Sequence, residues 1–398
     1  MSTILVLCPY VPHPTTHGGS MRSRVLLDAL VGEHQVHLVV PVVDDGDRAR
    51  AKALAAALPI RVHEEAVPRQ GKPEFGRKVL AWARGRSELL ARRWGEATPA
   101  AVAALLGSIR PDLLVVDSTY ALPIAPLGDT PLVLHLHNLE SSVFARAEPQ
   151  RRAFADRVSR QFEARTIAAA ERAAIARAAL TITVSEVDRE LALALVPKAN
   201  VVCVPNSVDL ERLPLLGPPP VGPPRLLLVG TLDYPPNFEA LTELVAQHLP
   251  TLRAAFPGLV LRVVGREDAG RLSAFRGREG IEAIGPVDDL RPHYECSHVC
   301  YLPIRSGGGT RIKILEAWAL GRPVLSTAVG AEGLGGVEGR HWRQFESAAQ
   351  GVAVLREVLG GQWAPLVANA RAFVAARYSH AAAVAAIRAA LRSVSPVR

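Results

Sequence analysis

The sequence predicts an α/β protein made of two doubly wound domains. Short apolar runs rich in Val, Leu and Ile alternate with helix-compatible stretches along almost the whole chain. That is the pattern of parallel strands buried on both faces. The alternation stops once, at residues 213–224 (LPLLGPPPVGPP), where six prolines and two glycines fall within twelve residues. Neither a helix nor a central strand continues through such a stretch. A length of 398 residues also exceeds what one ordinary core supports. The expected organisation is a first domain over 1–212, a Pro-rich linker over 213–224, a second domain over 225–375, and a C-terminal helix over 376–398 that packs back on the first domain.

The elements follow in order. TILVLCP reads as a strand and GSMRSRVLLDALV as the helix after it. HQVHLVVPV, DLLVVDS and PLVLHLHN (131–138) are further buried strands. The long PQRRAFADRVSRQFEARTIAAAERAAIARA stretch is helical, and LTITVS and NVVCVPN are short strands. Beyond the linker the pattern restarts with RLLLVGTLDY, a helix from about Asn237, LVLRVVG, IEAIGPV, SHVCYLPI and RPVLSTAVG. The tail SHAAAVAAIRAALRSV favours a helix.

Composition narrows the class. An apolar fraction of 49% with 21% charged residues is that of a globular chain. The opening MSTILVLCPYVPHP has no basic residue before its short apolar run and meets Pro9 at once, so it is expected to be a strand and not a signal peptide. No run approaches the roughly 18 apolar residues of a membrane span, and a cytoplasmic protein is the expectation. Four cysteines form no disulfide framework. His293, Cys296, His298 and Cys300 cluster in HYECSHVC, but their spacing matches no common zinc pattern, and no metal site is expected. The net charge of +8 is uneven: Arg69, Lys72, Arg77, Lys78, Arg84, Arg86, Arg92 and Arg93 face only Glu74 and Glu88 in that segment. The Arg69–Arg93 segment is either a solvated basic face or a contact for an anionic membrane surface. Only Phe75 and Trp82 fall among these basic residues, and nucleic acid is not the expected partner.

Four loops follow strands at their carboxyl ends, where open parallel sheets place ligands. In PHPTTHGGSMRSR, Gly18 and Gly19 permit close backbone approach ahead of a helix N-terminus. In LHLHNLES, His135 and His137 share a face. His135 is expected to be a buried, hydrogen-bonded histidine, whereas His137 is a candidate contact for a substrate hydroxyl. Glu140 either orients His137 or caps the next helix. In VGTLDYPPNFEAL, Gly230 and Thr231 are ligand candidates, and Asn237 is expected to cap the following helix. In RSGGGTRIKILEA, Gly308, Gly309, the N-cap Thr310, Arg311 and Lys313 suit a diphosphate. Glu316, one turn on, either receives a ribose diol or pairs with Lys313 on the surface.

GGGTRIKILEAWALGRPVLSTAVGAEGL, together with VPNSVD, VGTLDYPPN and HNLES, resembles the glycosyltransferases of family four, which have the two-Rossmann-domain GT-B architecture with a cleft between the domains. The likeness extends to bacterial transferases of exopolysaccharide and cell-surface glycan pathways. It implies retaining, metal-independent transfer from a nucleotide diphosphate-sugar, with UDP or GDP as the nucleotide and no other cofactor. The acceptor would be a glycan, a lipid-linked or a small-molecule hydroxyl, reached from the cytoplasm or the inner face of the plasma membrane. By the same resemblance Glu316 matches the second acid of a Glu-x7-Glu motif that holds the ribose, while Gly308 stands where relatives keep the first. His137 matches a histidine that approaches the donor sugar, and Gly18 and Gly19 match a loop near the diphosphate and acceptor. Val287, in GPVDDL, matches the base-binding edge. The Arg and Lys that relatives carry after the first strand of the second domain are missing from GTLDYPPN, so their role falls to Arg311 and Lys313. The alternatives are an epimerase or phosphorylase of the same shape, and a non-catalytic nucleotide-binding subunit.

Overall fold

The computed structural model describes residues 1–15, 18–68, 87–126, 128–146, 154–219, 221–267, 270–306 and 311–394. Its contacts divide the chain into two units, 1–206 with 383–398, and 207–382. The first unit holds a seven-stranded sheet built from β1 (Thr3–Leu7), β2 (Gln35–Val42), β3 (Ile60–Ala66), β4 (Leu113–Asp117), β5 (Leu132–His135), β6 (Leu180–Thr183) and β7 (Val201–Cys203). Its order is β3-β2-β1-β4-β5-β6-β7, and every pairing is parallel. The reversal of strand order between β1 and β4 is the switch point at which doubly wound sheets open toward ligands.

Period-two alternation divides the core of this sheet between its faces. Ile4 and Val6 join one cluster with Leu26, Leu30 and Leu38, while Leu5 and Leu7 join the other with Leu114, Leu134 and Ile175. Each such side chain contributes about 1.5–3 kcal/mol through burial. Ala383, Ile387 and Leu391 of the last helix (His380–Arg392) enter the first cluster, and Arg388 donates to the carbonyls of Ala29 and Asp28.

The second unit repeats the plan with β8 (Arg225–Val229), β9 (Val260–Val264), β10 (Ile281–Gly285), β11 (Val299–Leu302), β12 (Val324–Ser326) and β13 (Arg343–Gln344), in the order β10-β9-β8-β11-β12-β13. All of its pairings are parallel too, and its switch point lies between β8 and β11. Helix Ile312–Leu320 buries Ile314, Leu315, Ala317, Trp318, Ala319 and Leu320. It stops at Gly321, whose φ of 76° is the left-handed cap that glycine adopts without strain. Leu213 and Leu216 of the Pro-rich stretch pack on this unit's core, and the Leu216 N–H donates to the Leu320 carbonyl.

Three element boundaries differ from the sequence expectations. β5 ends at His135, so His137 lies beyond the strand. The helix expected from about Asn237 starts at Pro235, because the proline pair supplies its first two positions. β11 covers only Val299–Leu302, so Ser297 and His298 precede it, and both are buried. Among the described residues no helix is long and apolar enough to cross a membrane.

Candidate functional site

In the first unit the carboxyl ends of β1, β4 and β5 gather one polar cluster. Parallel register sets Asp117 of β4 beside His135 of β5. Asp117 Oδ1 lies 2.7 Å from His135 Nδ1 and 2.7 Å from His137 Nε2. His137 Nδ1 is 3.1 Å from the Tyr10 hydroxyl, which is 3.0 Å from Ser23 Oγ. Ser23 sits on the helix Gly18–Leu30, whose first two residues are Gly18 and Gly19, so this helix is joined to His137 through Tyr10. Arg22 on the same helix is buried and donates to the carbonyls of Val204 and Thr183 and to Asn206 Oδ1.

The electrostatics follow from burial. Burial works against the Asp117 carboxylate, but the two imidazoles, His137 foremost, hold its pKa far below the ordinary carboxylate range. Burial, reinforced by the Arg22 charge, lowers His135 to about 3, so that ring is neutral. Burial also lowers Arg22 to about 10, which leaves it a cation at neutral pH. Ser118, next to Asp117, has φ 85°. A non-glycine residue held there costs about 1–3 kcal/mol, and such strain clusters at functional sites.

A second carboxylate braces the loops that carry this cluster. Glu171 accepts from the backbone N–H groups of Glu140 and Ser141, from Ser141 Oγ at 2.5 Å and from Thr119 Oγ1 at 3.0 Å. It thereby ties the segment after His137 to the segment after Asp117. Burial raises its pKa to about 7 in spite of those four donors. Glu140, a candidate partner for His137, instead accepts from the Tyr120 hydroxyl and Asn138 Nδ2. It is Asp117 that holds His137.

Ligand atoms of Asp117, His135 and His137 lie within 4.8 Å of one another, a spacing a metal ion accepts. All three already share hydrogen bonds centred on Asp117 Oδ1. The side chains of HYECSHVC serve other ends. His298 Nδ1 accepts from the Arg225 N–H, the Cys296 thiol donates to the His293 carbonyl, and Cys300 is buried in the core.

In the second unit the site forms where β8 ends. Asn237 is the third residue of its helix and does not cap it. Its side chain donates from Nδ2 to the Thr231 carbonyl at 2.8 Å and accepts from Lys313 Nζ at 2.5 Å. This explains Gly230: a Cβ there would lie 2.6 Å from Asn237 Nδ2 and 2.9 Å from Lys313 Nζ. Lys313 thus bridges to the β8 loop and forms no surface ion pair with Glu316. The Glu316 carboxylate has no hydrogen-bond or ion-pair partner among the described residues. Arg311 is buried, and its Nη2 donates to the Ser306 carbonyl.

Lys313 and Glu316 are each partly exposed but recessed. Burial, then the Arg311 charge, lowers the Lys313 pKa to about 7, while burial raises Glu316 to about 7. The stem of the glycine loop is clamped: Arg305 Nε donates to Glu243 Oε1 at 3.0 Å, and Ser306 Oγ donates to Glu239 Oε2 at 3.0 Å. Gly308, Gly309 and Thr310 lie outside the described residues. Val287 follows β10 and packs against the unit's core, at the same carboxyl edge as Gly230. Most of the Arg69–Arg93 segment also lies outside the described residues; Arg93, which lies within them, stacks 4.6 Å from the Tyr120 ring centroid.

A family model described as "Glycosyltransferase Family 4" matches residues 17–212, and one described as "Glycosyl transferases group 1" matches 223–355. The chain belongs to the family-four glycosyltransferases. A search of curated proteins finds no matching sequence. Among solved structures, the transferase is similar to a sucrose-phosphate synthase from Thermosynechococcus elongatus, at 16% identity and TM-score 0.70, covering 99% of each chain. It is also similar to Anabaena Alr3699/HepE in complex with UDP and glucose, at 15% identity and TM-score 0.64, over 99% of this chain and 100% of that one. TarM, at 10% identity and TM-score 0.65, covers 97% and 98%. These likenesses show the GT-B fold.

Sequence reasoning missed Asp117, Tyr10, Arg22 and Glu171, and misread Asn237. Asp117 left one signal, an acid that ends an otherwise apolar strand (LLVVD).

Proposed function

We propose that this glycosyltransferase moves a sugar from a UDP-sugar to a hydroxyl acceptor with retention of the anomeric configuration. One observation carries the reading: a recessed lysine, Lys313, and a carboxylate with no hydrogen-bond partner among the described residues, Glu316, stand one helical turn apart beside the close-packed Gly230 turn. UDP-bound Alr3699/HepE supports UDP as the nucleotide.

In this reading Lys313 turns from Asn237 to the diphosphate, with Arg311 adding positive charge behind it. Glu316 accepts both ribose hydroxyls. The backbone of Gly308, Gly309 and Thr310, with Gly230 and Thr231, borders the phosphates and sugar, and Val287 borders the base. Charge gathered where the leaving diphosphate develops its own is the main electrostatic means of promoting departure. Lys313 and Arg311 fill that role, so no metal is required by the scheme and no further cofactor enters. His137 and the helix start at Gly18 and Gly19 serve the sugar and acceptor side.

The acceptor is a glycan, lipid-linked or small-molecule hydroxyl. The basic segment from Arg69 to Arg93 suits a cytoplasmic protein that docks on an anionic membrane face. Flotation with anionic and neutral vesicles checks this, and equal, negligible binding removes it.

The test of the function is incubation with UDP-, GDP- and dTDP-sugars, followed by NMR of the product. Transfer or slow donor hydrolysis with UDP-sugars, with the product keeping the donor's anomeric configuration, is expected. Inverted product would overturn retention. Nucleotide binding without turnover of any donor would make the chain a binding subunit.

A further inference from the structure

The first unit's polar cluster specifies more than the presence of a histidine. Asp117 Oδ1 lies 2.7 Å from both His135 Nδ1 and His137 Nε2, and a carboxylate shared between two ring nitrogens can only accept from them, so the proton between it and His137 belongs to Nε2. A neutral His137 then carries a bare lone pair on Nδ1, and the Tyr10 hydroxyl 3.1 Å away must be its donor. Ser23 Oγ, 3.0 Å from that hydroxyl, completes the chain by donating to it. Asp117 thus sets a single imidazole tautomer, and Tyr10 and Ser23 are arranged to match it.

The two ends of the imidazole are not equivalent. Nε2 points to Asp117, which is 1% exposed and locked by His135 and by the strained Ser118 turn. Nδ1 points to the hydroxyl of Tyr10, whose residue is only partly buried. His137 itself keeps 11% of its side chain open. A hydroxyl-bearing ligand can therefore exchange with Tyr10 at Nδ1 but not with Asp117 at Nε2.

We propose that Asp117 is a positioning residue that holds His137 as the Nε2–H tautomer, so that its Nδ1, capped by Tyr10 in the free protein, serves as a hydrogen-bond acceptor for a sugar or acceptor hydroxyl that displaces Tyr10. The proposal rests on the transferase reading for the identity of that hydroxyl; the tautomer stands on geometry alone. A metal ion bound by Asp117, His135 and His137 is the competing use of the same atoms.

The test is nitrogen-15 NMR of the imidazoles of the full chain in alkaline buffer, where histidine is neutral, with the His137 signals assigned by their loss in His137→Gln. The account expects a protonated Nε2 and an unprotonated Nδ1 in the wild type, a loss of that preference in Asp117→Asn, and retention of it in Tyr10→Phe. In turnover of UDP-glucose or another accepted UDP-sugar, Asp117→Asn should lower kcat about 100-fold with donor KM within threefold. A wild-type His137 with its proton on Nδ1 would overturn the proposal, even if Asp117→Asn failed to fold. One equivalent of zinc retained through dialysis and lost in His137→Gln would overturn it as well. UDP affinity is independent of these outcomes, so failure here is distinguishable from failure of the transferase reading.

Discussion

The two units carry polar sites of opposite character. In the first, the Asp117 carboxylate is bonded to two imidazoles, and Glu171 collects four donors. In the second, the Glu316 carboxylate has no hydrogen-bond partner among the described residues, and burial pushes Lys313 and Glu316 toward neutral pH from opposite directions. A network bonded around one carboxylate oxygen holds its geometry before any ligand arrives, even though Asp117 Oδ2 and His135 Nε2 are buried there without a hydrogen-bond partner among the described residues. An open carboxylate gains its interactions only when a ligand supplies them. The first unit is thus preorganised, and the second is poised.

Breaking the poised pair should have the largest effect. Lys313→Met keeps the stem but removes the charge, and kcat/KM should fall about 1,000-fold, comparable to losing a main electrostatic contact to the departing group. Steady-state kinetics with a UDP-sugar decides it. Breaking the brace of the preorganised site should instead appear as stability. Glu171→Ala strands the Glu140 and Ser141 amides and Thr119, at a cost of about 3 kcal/mol, or roughly 6 °C in thermal midpoint. Because its folded pKa of about 7 lies above the ordinary 4.5, Glu171 contributes stability at low pH that is lost as pH rises through that interval. Glu171→Gln, which cannot ionise, should flatten that loss in calorimetry across the same range.

Smaller changes sharpen the contrast. Gly230→Ala pushes a methyl into Asn237 and Lys313, and UDP should bind about tenfold more weakly. The poised lysine also makes affinity depend on pH. Above pH 7 Lys313 is mostly neutral in the free protein and must take up a proton to meet a diphosphate. UDP affinity should therefore fall about threefold from pH 7 to pH 8, the loss of the Lys313 proton being partly offset by ionisation of Glu316, and Lys313→Met should abolish that fall.

Much of the fold was legible in the strand–helix alternation, because parallel strands buried on both faces leave unbroken apolar runs such as LLLVG and LLVVD. In the second unit the glycine-loop helix was legible too, since Arg311, Lys313 and Glu316 follow one another in sequence. The first site was not, because its residues come from β1, β4 and β5, and which strands are neighbours is a property of sheet order. His137 could be singled out by its place after a strand, but Asp117 becomes its partner only once β4 lies beside β5. Asn237 was misread for a local reason: Pro235 and Pro236 begin the helix two residues early, which turns a capping residue into a bridge from Thr231 to Lys313.

The central claim is that the Glu316 carboxylate, without a hydrogen-bond partner among the described residues, is completed by a ribose. Calorimetric titration of UDP into the wild type and Glu316→Gln at neutral pH tests it most directly. The account predicts binding about 30-fold weaker in the variant, the loss expected when hydrogen bonds to a charged acceptor are replaced by weaker ones. Equal affinity in the two proteins would contradict it.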